Sequence, residues 1–93
     1  MPASNAMFEY HYVYGNPSVH YMIVDIYGKY SITPIANNRG KTAYYEVHEL
    51  HSLYNDIKFR SQKKAMQYVV AELFTELFDY EHYGFTRHTR IHI

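Results

Sequence analysis

Ser61-Gln62-Lys63-Lys64-Ala65-Met66-Gln67-Tyr68-Val69-Val70-Ala71-Glu72-Leu73-Phe74-Thr75-Glu76-Leu77-Phe78 is the segment whose reading decides the fold. Ala65, Met66, Val69, Val70, Leu73, Phe74, Leu77 and Phe78 return at intervals of three and four, the period of one helix face. Ser61 stands before the run as an N-cap, because its hydroxyl can accept a hydrogen bond from a free N–H of the first turn. The helix is expected to run to about Tyr80, with Gly84 just beyond it as a stop. A stripe this broad has to be buried against something, and the rest of the chain must supply the other layer.

Upstream of the helix the period changes from three or four to two. Phe8, Tyr10, Tyr12 and Tyr14 alternate with Glu9, His11 and Val13, which predicts a strand over 8–14. Gly15-Asn16-Pro17-Ser18 is a turn cluster, and Val19 to Tyr27 is apolar and β-branched enough for a central strand. Gly28-Lys29 fits a tight primed turn, and a third strand follows from Tyr30 to Ala36. Pro34 lacks an N–H, so this strand is expected at an edge or to end early. Asn37-Asn38-Arg39-Gly40-Lys41 is a further turn.

From Thr42 to about His51 two patterns compete. Ala43, Tyr45 and Val47 alternate as in a strand, while Tyr44, Val47, Leu50 and Tyr54 fit a helical stripe. Strand is the reading adopted, since Tyr, Val and Thr favour it and a fourth strand completes a meander. After Gly84, Phe85, Ile91 and Ile93 face one way and Thr86, His88, Arg90 and His92 the other, predicting a terminal strand with a basic outer face. The fold class expected is α+β: a four- to five-stranded antiparallel sheet, a meander plus the C-terminal strand, packed on one long amphipathic helix.

At 93 residues, with 47% hydrophobic and 19% charged residues, the chain suits one core and one domain. Met1 to Ala6 is small, polar and unpatterned before a second methionine, so residues 1–6 read as an expression-tag remnant and 7–93 as the domain. Nine cations balance nine anions, leaving no global field to hold nucleic acid or an anionic membrane. Seven histidines make the charge depend on pH. The chain has no cysteine, so disulfides, thiolate metal sites and cysteine nucleophiles are excluded. With no signal peptide and no long apolar run, the cytoplasm is the expected compartment and no membrane contact is expected.

Twelve tyrosines are the most unusual feature. A helix covers only one face of a sheet, so tyrosines on both faces cannot all be core. Tyr10, Tyr12, Tyr14, Tyr21 and Tyr45 are therefore candidates for an aromatic binding face. Tyrosine combines a large ring, few rotors and a water-tolerant hydroxyl, which suits protein interfaces and base-stacking platforms alike.

Charges on the helix oppose its dipole. Arg60, Lys63 and Lys64 stand at the start and Glu76, Asp79 and Glu81 near the end. With Ser61, these cations form a candidate anion or partner site. A third candidate is the C-terminal basic face of His88, Arg90 and His92.

His48 and His51, and His88 and His92, have metal-like spacing only on a helix. On strands the first pair points to opposite faces and the second lies about 13 Å apart, so no metal is expected. His48-Glu49-Leu50-His51 is one residue short of the zinc-protease pattern. A metal-independent nuclease built on Tyr83, Arg87, His88, Arg90 and His92 is the best enzyme reading, but no motif fixes its geometry. The function expected is a non-enzymatic interaction module without a cofactor, binding a protein partner or itself as a homodimer. The alternative is a small nucleic-acid-binding protein or ribonuclease.

Overall fold

The computed structural model describes residues 5–15, 19–53 and 56–83, with side chains described between residues 6 and 76 of those spans. A short 3-10 turn, Asn5–Met7, leads into strand β1 (Phe8–Tyr12). Strands β2 (Tyr21–Asp25), β3 (Tyr30–Ala36), β4 (Thr42–Glu49) and β5 (Ile57–Phe59) follow, and then helix α1 (Gln62–Tyr83). The strands form one antiparallel meander in the order β1-β2-β3-β4-β5, with α1 packed across it. The α+β architecture is the one the change of period predicts.

Register assigns every side chain to a face. Phe8 opposes Asp25, Tyr10 opposes Ile23, and Tyr12 opposes Tyr21. Ile23 opposes Ile32, Ile32 opposes Val47, and Val47 opposes Ile57. Residues paired in this way share a face. Phe8, Ile23, Tyr30, Ile32 and Val47 therefore meet the helix, where they form the core with Ala65, Met66, Val69 and Leu73. The other face carries Met22, Val24, Thr33, Ile35 and Tyr44, all half-buried, and there the Lys58 ammonium lies 4.8 Å from the centre of the Tyr44 ring.

Asp25 organises the β2–β3 connection. It is 1% exposed, and its carboxylate accepts hydrogen bonds from the backbone N–H groups of Tyr27 (2.9 Å), Lys29 (2.9 Å) and Tyr30 (2.5 Å). Its own carbonyl accepts from Gly28 N–H at 2.9 Å, and Gly28 takes the left-handed φ of 68° that closes the turn. A buried carboxylate is tolerated here because several backbone donors meet it.

Several expectations need correction. Pro34 does not mark an edge, since β3 is the middle strand of the sheet. The β3–β4 register shows why: Leu50 N–H donates to Lys29 carbonyl, so odd-numbered β3 residues bond to β4 and the Pro34 nitrogen points toward β2. The β2–β3 ladder, Ile23↔Ile32 and Val24↔Ser31, ends before reaching it, so no ladder bond is lost. The fifth strand is β5, in a segment with no strand assigned from its sequence, whereas the strand expected over 85–93 lies outside the described residues. Phe74 belongs to the predicted buried stripe but is 61% exposed, and Glu76 is 5% exposed rather than a surface charge.

Candidate functional site

The start of α1 lies against the β1–β2 corner, and one side chain joins them. Gln62 Nε2 donates to the Tyr10 hydroxyl at 3.0 Å, and the Tyr21 hydroxyl donates to Gln62 Oε1 at 3.3 Å. The Tyr10 and Tyr21 rings touch with centroids 5.9 Å apart and planes inclined by 31°. Burial, and then the neighbouring Tyr45 and Tyr10, raise the Tyr21 phenol above its ordinary pKa. Beyond them Tyr12 is 80% exposed and Tyr14 89%. Tyr10, His11, Tyr12 and Tyr21 line a shallow, mainly apolar depression of about 270 Å³.

The cations predicted at the helix start flank Gln62 in the sequence. Ser61 is the N-cap, its Oγ accepting Lys64 N–H at 3.0 Å. Arg60, Lys63 and Lys64 are exposed, and among the described residues no carboxylate lies within salt-bridge distance of them. Two candidate sites separated by about fifty residues of sequence thus meet at Gln62. The result is a ring-lined hollow joined through Gln62 to a helix start that carries three exposed cations.

Not every candidate joins the corner. Tyr45 shares the helix-side face but is half-buried, packed against the core and opposite Phe59. Tyr14 lies beyond the end of β1. His88, Arg90 and His92, with Arg87 of the nuclease reading, are outside the described residues, as is the Tyr83 side chain. His48 sits on the opposite sheet face, with Nδ1 2.6 Å from Asp56 Oδ1, while His51 occupies a left-handed turn position, φ 71°. Among the described residues no group of three His, Cys, Asp or Glu is arranged to hold a metal ion.

A second feature has no counterpart among the sequence expectations. Tyr30, Val47, Glu49, Ser52, Ile57, Tyr68 and Glu72 line a crevice of about 130 Å³ between the sheet and α1. Burial first, then Glu76, Glu49, Glu72 and Tyr68, hold the Tyr30 phenol far above its ordinary pKa. The signal for both features lay in the helix stripe. Gln62, Met66, Val69, Leu73 and Glu76 follow one another at three- and four-residue steps, so among the described side chains this line of α1 is polar at each end. Each polar end lies close to tyrosine: Gln62 to Tyr10 and Tyr21, Glu76 to Tyr30.

No family model matches the chain, and no curated protein or solved structure matches it either. Among the described residues no helix is long and apolar enough to cross a membrane.

Proposed function

We propose that this protein is a non-enzymatic binding module whose partner, a protein, docks an extended acidic and aromatic segment on the Tyr10–Tyr12–Tyr21 corner. The observation that supports the reading is the Gln62 bridge, which ties Tyr10 and Tyr21 to the first residue of a helix whose start carries exposed cations. Tyr10 and Tyr21 are held by hydrogen bonds and a ring contact, so little rotamer freedom remains to be lost on binding. Arg60, Lys63 and Lys64 complement carboxylates on a partner and favour its encounter. A displayed peptide library panned on the immobilised protein tests this. Sequences with acidic residues next to an aromatic are expected, and Tyr12→Ala and the Lys63→Glu/Lys64→Glu pair should each abolish their capture. No enrichment, or enrichment indifferent to both changes, would refute the reading.

The same pairing of exposed rings and free cations favours one second reading, a platform for single-stranded nucleic acid. Anisotropy of labelled single-stranded RNA and DNA separates the two. Micromolar binding that weakens steeply with salt supports nucleic acid, and its absence alongside peptide capture supports a protein partner.

A further inference from the structure

We infer that strand β1 pairs with β1 of a second copy, antiparallel about a two-fold axis at Tyr10, so that two sheets join into one. This goes beyond the docking role above, because the second copy occupies the backbone edge of β1 and sets its own tyrosines beside the corner.

The backbone supplies the first argument. Val13 N–H donates to His20 carbonyl and Ile26 N–H to Met7 carbonyl, so the odd-numbered residues from Met7 to Val13 are the ones bonded to β2. The N–H and C=O groups of Phe8, Tyr10 and Tyr12 point away from the sheet, at its edge, and among the described residues they have no partner. An edge of this kind is a template for another strand. In a pairing centred on Tyr10, the outward groups of Tyr10 meet the partner's Tyr10 and those of Phe8 meet the partner's Tyr12. Every outward group of β1 is then satisfied.

Hydrogen-bonding complementarity between a carboxylate and an imidazole selects the register and the occupant. Glu9 and His11 share the sheet face away from the helix, both exposed, with His11 Nε2 3.5 Å from Glu9 Oε1. Centring on Tyr10 sets Glu9 directly opposite the partner's His11, twice over by symmetry. These are non-hydrogen-bonded pairs, in which opposed Cα atoms approach to about 4.5 Å and side chains are closest. Slipping the pairing by two residues sets Glu9 against the partner's Glu9 in one direction and His11 against the partner's His11 in the other. Only the central register is complementary, and it is complementary to this same sequence. On the helix side the pairing also brings Tyr10 against the partner's Tyr10, making one tyrosine strip flanked by two basic helix starts.

Sedimentation equilibrium with charge exchange tests the pairing. Wild type should sediment at twice 11.1 kDa. Glu9→Lys and His11→Glu should each weaken self-association by about tenfold or more, since the first removes the carboxylate that meets the partner's imidazole and the second sets two carboxylates against each other across the axis. An equimolar mixture of these two variants should recover the dimer, because the lysine introduced in one chain then faces the glutamate introduced in the other. The chain carrying both changes should dimerise for the same reason. The mixture separates loss of pairing from loss of folding. A wild-type chain monomeric at every concentration, single variants as dimeric as their parent, or a mixture that stays monomeric would each overturn the inference. Peptide panning reads the corner separately, so either proposal can fail while the other stands.

Discussion

Gln62 donates a hydrogen bond to the Tyr10 hydroxyl across 52 positions of sequence, fastening the first residue of the helix to an edge strand. With the Tyr21 hydroxyl on its other amide atom, it is the only described side chain that bonds to both of these tyrosines. Replacing Gln62 with Leu should cost about 1–2 kcal/mol in urea unfolding, the worth of two part-exposed hydrogen bonds. Gln62→Glu should recover most of this, because a carboxylate accepts from both hydroxyls and suits a helix start. Equal losses in the two variants would show that packing rather than hydrogen bonding is at work.

Asp25→Ala leaves the N–H groups of Tyr27, Lys29 and Tyr30 without their acceptor at a turn whose two flanking residues, Asp25 and Tyr30, are buried. A loss of about 3 kcal/mol or more is expected, with Asp25→Asn between the two because it keeps one acceptor oxygen but loses the charge. Chemical denaturation with an unchanged m-value is the measurement.

Tyr30 is 4% exposed, and burial together with Glu76, Glu49, Glu72 and Tyr68 raises its phenol pKa. A raised folded-state pKa means the unfolded chain gives up this proton first. The associated stability is therefore intact below about pH 10 and is lost as pH rises beyond it. Tyr21 shifts in the same direction. Tyr30→Phe should unfold at higher pH than wild type while remaining near wild-type stability at neutral pH, as followed by circular dichroism. Superimposable alkaline transitions would contradict the buried, carboxylate-flanked phenol.

Lys64 is the third residue of a helix capped by Ser61, the place where a capping box carries Glu. Lys64→Glu should stabilise the fold by about 1 kcal/mol, raising Tm by about 4–8 °C, and Lys64→Ala by less. If the helix start serves binding, the same change weakens capture of an acidic peptide. Stability and binding moving in opposite directions would mark Lys64 as a residue kept for its ligand.

Much of the fold is legible from periodicity. The strand expected over 8–14 is β1, which ends at Tyr12, the span from Tyr30 to Ala36 matches β3, and Ser61 caps α1 as its position implies. The competition over residues 42–51 resolves to a strand, because Val47 is needed opposite Ile32 and Ile57 in the core. β5 is not legible, since a strand of three residues is too short to show a period. The tyrosines are expected on both faces, and Tyr44 does lie away from the helix, but Tyr10, Tyr12, Tyr21, Tyr30 and Tyr45 share the helix side, and position relative to the helix decides which are core and which are exposed.

Local chemistry in the chain alone determined that strands β1 to β4 precede the helix, the break at Gly28 and the cap at Ser61, because each depends on residues within a few positions of one another. Only the tertiary structure decided that Tyr10 and Tyr21 bond to the first residue of α1, that Asp25 and Glu76 are buried, and that, among the described residues, the outward edge of β1 has no partner. Those outcomes depend on sheet register and on where the helix crosses it, and no short-range pattern carries either.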